Sequence, residues 1–532
     1  MKRVFFVHFL TLILGLAFSV QVKSQDSDTL LLDRLLKMSL DELSELKITT
    51  SSKTHQKAWE ASAKVVIITE AMILSRGYYD LVDVLKDVPY FQIQSEYGHW
   101  MKGAIVNLRG HRSGDSGNNK FLILIDGIKI SDEAEEGLYM GLNSIPLNNV
   151  KQIEVVYGPN SSLYGRDAYA GMINIISKTS NYKASRFSYG DFKTQRFYAG
   201  ISQTFNDHTY GSIHYSAYKS DEQDPTNKSI TYKERHVFPK HPYTNNFYRS
   251  SNNTMLNMDL KIHELSLKYM LFDIRASETY GCNPDFYVSE YSTVTALQNQ
   301  IISADYNLKI TPSLNLNLFY SNKMHVLDPQ TANLYTYDLE RTGTYDAQNA
   351  TILIDSLFAY GGRKYYYFRT KANNTGLKAT YTITPKLKNI SGIEFAFIKG
   401  IPIISEGKGG KPITKESQRK IWEHSFETKG IYSDFAYNLT DNLLTSLGGR
   451  YDLNSNYDNT FMTRFAIVAR NKKNIIKFIF SEGYMAPSVT QRYFESITTF
   501  SWIKGNPDLK SQKNSSLELD WSYLVDKTQF TV

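Results

Sequence analysis

The sequence predicts a mainly β protein: a small α/β domain followed by an antiparallel transmembrane β-barrel. Three observations carry this. Past Lys178 apolar and polar residues alternate strictly, the period of two that a strand imposes. The connections between those alternating runs are short and long in turn. The 532 residues include 38 Tyr and 28 Phe, 13% aromatic, at a mean hydropathy of -0.37. That balance suits aromatic girdles on a barrel and excludes a bundle of membrane helices. It also fits a sugar-binding β-protein, so the patterning has to decide.

The N-terminus is an address. Lys2 and Arg3 precede an apolar run from Val4 to Val20, and Val22 and Ser24 take the small-residue positions before a cut at Gln25. This is a secretory signal peptide over 1–24. The run is short for a spanning helix, and no Cys follows the cut to make a lipoprotein. An extension over 25–60 comes next. Asp26 to Leu46 is polar-amphipathic, and Lys47 to Ser52 is an extended segment of β-branched and hydroxyl residues.

Residues 61–180 form the α/β domain. Val65 to Ile68 is a strand. Leu81, Val84, Leu85 and Val88 fall on one helix face, with Asp80 as N-cap and Pro89 as stop. Phe121 to Ile125 and Ile128 to Ile130 flank Asp126-Gly127, a hairpin signal. Ile153 to Tyr157 and Met172 to Ile176 are further strands.

Residues 181–532 are the barrel. Leu256, Met258, Leu260 and Ile262 interleave with Asn257, Asp259 and Lys261; Leu517, Leu519, Trp521 and Tyr523 interleave with Glu518, Asp520 and Ser522. A soluble sandwich buries its apolar face; a membrane barrel turns it to lipid and keeps the polar face in a wet lumen. Short turns at Asn206-Asp207, His263, Thr311-Pro312, Thr384-Pro385, Thr440-Asp441 and Asn471 to Lys473 alternate with long links. Two of the opposite links, near Asp191 and Ser455, are short exceptions. A barrel with periplasmic turns and extracellular loops keeps that parity and a sandwich has no reason to. About fifteen strands result, the last barely begun.

The net charge of +7 is dispersed, without the Lys/Arg run of a nucleic-acid arm. One cysteine, Cys282, excludes an intramolecular disulfide framework and a thiolate zinc cluster. Gly114-Asp115-Ser116-Gly117 resembles a serine-protease nucleophile segment, but no matching histidine segment precedes it. No catalytic or metal-ligating set emerges, and no cofactor is expected. The chain is not read as an enzyme.

Four blocks of the α/β domain occur in a telling order: Asp83-Val84-Leu85-Lys86-Asp87-Val88-Pro89, Asn107-Leu108-Arg109-Gly110, Leu124-Ile125-Asp126-Gly127, and Ile153-Glu154-Val155-Val156-Tyr157-Gly158-Pro159. Ser162-Leu163-Tyr164-Gly165 and Gly171-Met172-Ile173-Asn174 follow the fourth. In the barrel stand Gly449-Arg450-Tyr451-Asp452, Tyr484-Met485-Ala486-Pro487-Ser488 and Gly505-Asn506-Pro507-Asp508-Leu509-Lys510. Together these resemble the plug and barrel of TonB-dependent outer-membrane receptors. The resemblance implies a barrel of about 22 strands whose lumen is plugged. It also implies work delivered by TonB of the inner-membrane TonB–ExbB–ExbD complex, which adds an extended N-terminal segment as a strand. The candidate for that segment is Lys47, Ile48, Thr49, Thr50 and Ser51, expected to be mobile at rest, with an ordinary linker as the alternative.

Two departures stand out. Tyr157 occupies a position where the family commonly has Arg, and Gln512 one where it commonly has Glu. Arg109, Glu154 and Glu518 remain as candidates for a plug–barrel contact. Either the exchanged pair has made one such contact neutral or the two changes are unrelated. The chain also stops at Val532 without a terminal aromatic residue. With about seven strands of such a barrel absent, it reads as a fragment or a truncated product that should not insert as a stable monomer.

Ligand is expected between plug loops and extracellular loops. Tyr97, His99, Trp100 and Lys102 lie on one plug segment and His111 and Arg112 on another. Aromatic faces with a few cations suit an anionic, aromatic iron chelate; loops that merely pack in the lumen are the alternative. Haem receptors of this family often carry a His between Ser488 and Gly505, where this chain has Tyr493. The expected function is import of a scarce ligand, a ferric siderophore first. Cobalamin, haem or a glycan, or a non-transporting receptor or surface adhesin, stay open. The expected partners are TonB, a small-molecule iron chelate and outer-membrane lipid, with no nucleic acid.

Overall fold

The computed structural model describes residues 45–95, 104–111, 119–135, 137–138, 142–221, 249–278, 293–328, 331–334, 363–406, 423–497, 502–525 and 528–531. The signal peptide and most of the extension lie outside them.

The chain begins with two short paired strands, β1 (Lys47–Ile48) and β2 (Gln56–Lys57). The plug then follows: β3 (Val65–Thr69), α1 (Glu70–Arg76), α2 (Leu81–Asp87), β4 (Phe91–Ser95), β5 (Ala104–Leu108), β6 (Leu122–Ile125), β7 (Ile128–Lys129), β8 (Val150–Tyr157), α3 (Ser161–Tyr164) and β9 (Gly171–Ser177). Its sheet has the order β3-β8-β9-β6-β7, with only β6 and β9 parallel. Asp80 caps α2 as expected, its side chain accepting from Asp83 N–H. The Asp126-Gly127 turn has φ of 51° and 81°, the left-handed pair a tight hairpin requires. Leu81, Val84 and Leu85 meet Ile123, Ile125, Ile153 and Ile173 in one buried core.

Helix α1 was not expected. Val65 to Thr69 runs straight into it, so the strand hides its start. Thr69 accepts from Met72 N–H as N-cap and Gly77 ends the helix in the left-handed conformation.

The barrel wall runs through β10 (Tyr182–Gly190), β11 (Thr194–Asn206), β12 (Thr209–Ser220), β13 (Arg249–Ile262), β14 (Leu265–Glu278), β15 (Thr293–Lys309) and β16 (Leu314–Leu327). A short β17 (Ala332–Leu334) bridges β15 and β18. The wall continues through β18 (Arg363–Thr384), β19 (Leu387–Glu406), β20 (His424–Thr440), β21 (Leu443–Asn454), β22 (Thr460–Asn471) and β23 (Asn474–Met485). A folded link holds α4 (Val489–Tyr493), β24 (Glu495–Ile497) and β25 (Trp502–Lys504). Then come β26 (Gln512–Val525) and β27 (Thr528–Thr531). Neighbours pair antiparallel in sequence order, and among the described residues the end strands β10 and β27 do not pair with each other. The sheet is therefore an open barrel wall. All six expected short turns close hairpins on one rim.

The two faces settle barrel against sandwich. Leu260, Ile262, Leu517, Leu519, Trp521 and Tyr523 are exposed, whereas Asp434, Arg450, Asp452, Arg464, Lys477 and Asp520 are buried. Apolar outside and charged inside is the arrangement lipid selects.

Candidate functional site

The extension is held between plug and wall by polar contacts. The β8 carboxylate of Glu154 accepts from Thr49 N–H at 3.1 Å and Thr50 N–H at 2.9 Å, and from the Thr50 hydroxyl. Asn174 Nδ2 donates to Thr50 Oγ1 at 3.0 Å, and Gln152 Nε2 to Lys47 O at 3.2 Å. From the wall, Arg464 Nη1 donates to Ser51 O at 2.8 Å while its other nitrogens clasp Asp434 at 2.6 and 2.7 Å. Lys53 Nζ meets Glu394 Oε1 at 2.8 Å and lies over the Tyr432 ring at 4.2 Å. Burial lowers the Lys53 ammonium, and the Glu394 carboxylate opposes that shift.

The segment expected to be mobile at rest is packed in this structure. Ile48, Thr50 and Ser51 are fully buried, and only Lys47 and Ile48 are strand. Glu154 is also relocated: among the described residues it hydrogen-bonds the extension and Gln152 rather than the wall. Further along, Lys477 Nζ donates to Ala61 O at 2.9 Å and Ala63 O at 3.0 Å. The buried Trp59 packs on Val468 and Ile475. The segment is thus tied mostly by hydrogen bonds, which a pull can break one after another.

The second contact is as expected. Arg109 Nη1 meets Glu518 Oε1 at 2.7 Å. Gly158 makes room: a Cβ there would lie 2.8 Å from the same oxygen. Tyr157 does not face Gln512. Its ring lies under the Arg109 guanidinium at 5.2 Å and its hydroxyl donates to Pro89 O at 2.7 Å. Gln512 Oε1 accepts from plug Lys120 Nζ at 2.8 Å. The two departures from the family pattern therefore serve separate contacts. Both partners of the Arg109–Glu518 pair are partly exposed, so a double-mutant cycle on Arg109→Ala and Glu518→Ala should give a coupling of about 1 kcal/mol. Thermal unfolding of the four proteins measures it.

Of the expected ligand residues, Tyr97, His99, Trp100, Lys102 and Arg112 lie outside the described residues. His111 stands edge-on to Tyr169 at 5.4 Å, and Lys120 lies over the same ring at 5.0 Å. Burial, then Lys120 and Arg109, lower the His111 imidazole. Tyr169 and Lys120 were not expected; nothing local in sequence sets them beside His111. Tyr493 stacks on His424 at 3.7 Å.

Two family models match the chain. The description "TonB-dependent Receptor Plug Domain" matches residues 57–172, and "TonB dependent receptor-like, beta-barrel" matches residues 181–532. Over 201 residues the chain is 30% identical to "Vitamin B12 transporter BtuB" of Vibrio vulnificus (strain YJ016), covering 36% of this chain and 31% of that protein. It is 30% identical over 175 residues to "Iron-regulated outer membrane virulence protein" of Vibrio cholerae, covering 32% and 23%. The matched stretches thus span about a third or less of these curated relatives. Among solved structures, the ferric enterobactin receptor PfeA of Pseudomonas aeruginosa superposes with a TM-score of 0.64 at 15% identity, over 88% of this chain and 70% of that one. The ferric yersiniabactin uptake receptor FyuA of Yersinia pestis gives 0.58 at 14%, over 90% and 71%. Those two show the fold. The family models cover most of the chain and show more: it belongs to the TonB-dependent receptors, outer-membrane proteins of Gram-negative bacteria in which an α/β plug sits within an antiparallel β-barrel.

Proposed function

We propose that the chain takes up a scarce ligand through the outer membrane by TonB-coupled transport, with a ferric siderophore as the ligand. The observation that carries the coupling is the Lys47–Ser51 segment: short, buried at Ile48, Thr50 and Ser51, and tied by polar contacts to the plug strand β8 on one side and to Arg464 on the other. TonB would draw it out as an added strand, and the pull would pass through Glu154 into the plug sheet. The ligand class is suggested by the siderophores named for the two fold neighbours and by the Tyr169, His111 and Lys120 cluster, which offers aromatic faces and a cation to an anionic chelate. A cobalamin reading has its own support, since a sequence relative is named a vitamin B12 transporter.

Cells lacking their own receptors and expressing a complete receptor that contains this chain separate the two readings. Uptake of radio-iron as ferric enterobactin, lost in a tonB-deleted strain, is the expected result. Uptake of labelled cyanocobalamin and none of iron would transfer the assignment to cobalamin. TonB-independent uptake of either would reject the coupling.

A further inference from the structure

One buried polar cluster between plug and wall has no part in the contacts above. The plug segment after β7 carries Asp132, Glu133 and Glu135, which are 2%, 4% and 2% exposed. Asp132 Oδ1 accepts from Ala134 N–H and Glu135 N–H at 2.8 and 2.9 Å, folding the segment into a tight turn. Helix α4 closes over it: Val489 N–H donates to Ala134 O at 2.9 Å and the Thr490 hydroxyl to Glu135 Oε1 at 2.7 Å. From β16, Lys323 Nζ reaches Glu133 Oε1 at 2.5 Å; from β18, Asn374 Nδ2 reaches the same atom at 2.7 Å.

The charges facing this turn come from every element around it. Its own segment supplies Asp132, Glu133 and Glu135. Lys129 on β7 is ion-paired with Asp167, and Arg166 donates to Glu133 O and lies 3.8 Å from its Oε2. On β16 stand Lys323 and the buried His325. The guanidinium of Arg492 on α4 is turned away to Pro507 O at 2.6 and 2.9 Å. Among the described residues, three cations therefore confront four carboxylates in a site with almost no access to water. Buried charge without compensation costs several kcal/mol and is relieved by taking up a proton. Among the buried atoms here that have no hydrogen-bond partner are Asp132 Oδ2, Glu135 Oε2, Asp167 Oδ1, His325 Nε2 and, opposite His325 across the β16–β18 ladder, Thr370 Oγ1. Glu133 is held by Lys323 and Arg166 and Asp167 by Lys129, which leaves Asp132 and Glu135 to share the excess charge.

We infer that Glu135 is a buried proton-binding site, protonated at neutral pH, and that helix α4 opens more readily as the proton is lost, because opening gives the buried carboxylate water. Ionising it leaves a second uncompensated negative charge beside Asp132 and loosens α4. The direction of its acidity agrees: burial and then Asp132 raise Glu135 to about 8, against the Thr490 and Ser488 hydrogen bonds.

The pH dependence has a definite sign. The folded-state value lies above the ordinary glutamate value of 4.5. The contribution to stability is therefore complete below that value and is lost as pH rises toward about 8. Across that window the group changes the unfolding equilibrium by up to about tenfold per pH unit.

Hydrogen exchange of residues 486–494, corrected for intrinsic rates, tests this on the detergent-solubilised full chain. Wild-type protection of that segment should fall on going from pH 6 to pH 9. Glu135→Gln, which carries a permanent neutral isostere, should stay protected across the range, and His325→Asn should leave the wild-type fall intact. Wild-type protection that does not change with pH overturns the inference, whether or not either variant folds. A fall that persists in Glu135→Gln, or that disappears in His325→Asn, places the proton elsewhere and overturns it as well.

Discussion

Replacing Arg464 with Ala should detach the extension and destabilise the plug–wall interface by about 3–5 kcal/mol, the usual cost of stripping a buried charge of its partner. The side chains of Arg464 and Asp434 are 5% and 3% exposed, and Arg464 is the barrel side chain that reaches Ser51 O. Without it Asp434 is an uncompensated buried carboxylate, and Ser51 O and Asn160 Oδ1 each lose a donor. Limited proteolysis should cut the variant within residues 45–57 under conditions that spare the wild type. Arg464→Lys keeps the charge and loses the fork that spans both Asp434 oxygens, so it should recover only part of the effect.

Replacing Ile48 with Pro should abolish uptake and leave ligand binding in place. Proline removes a backbone donor from a segment that has to add to TonB as a strand. Ile48 is fully buried at rest and paired with Gln56, so the variant should also show a looser extension, but the plug residues proposed to meet ligand are far along the chain. Equilibrium binding and energised uptake, measured on the same cells, separate the two effects. Unchanged uptake would remove Lys47–Ser51 from the coupling.

The sequence exposed what depends on local periodicity. The alternation around Leu260 and Leu519 correctly placed the apolar face outside. The turn chemistry at Asp126-Gly127, His263 and Thr384-Pro385 fixed the hairpins, because each needs only a few adjacent residues. The site was less legible, because its contacts join distant positions. Glu154 meets Thr50 across 104 residues and Arg464 meets Ser51 across 413, separations over which no periodicity carries information. Arg109 with Glu518 was found because lumen parity and the family resemblance pointed to the same pair. The burial of Lys47–Ser51 was missed because a run of Thr and Ser looks solvated. Here the amides of Thr49 and Thr50 and the hydroxyl of Thr50 are satisfied instead by one inward-facing glutamate. Helix α4 and its clasp on Glu135 follow a loop whose Pro-Ser sequence shows a cap but not what the helix will cover.

Disulfide trapping tests the coupling most directly. Single cysteines are placed in turn at positions 45–57 of a Cys282→Ser background and offered to the periplasmic domain of TonB carrying a cysteine in its strand-accepting edge. Cross-links should concentrate at 47–51, strengthen when ligand is present, strengthen further in the Arg464→Ala background, and vanish with Ile48→Pro. Cross-links absent from 47–51 in both backgrounds, with TonB captured elsewhere on the chain or nowhere, would contradict the assignment.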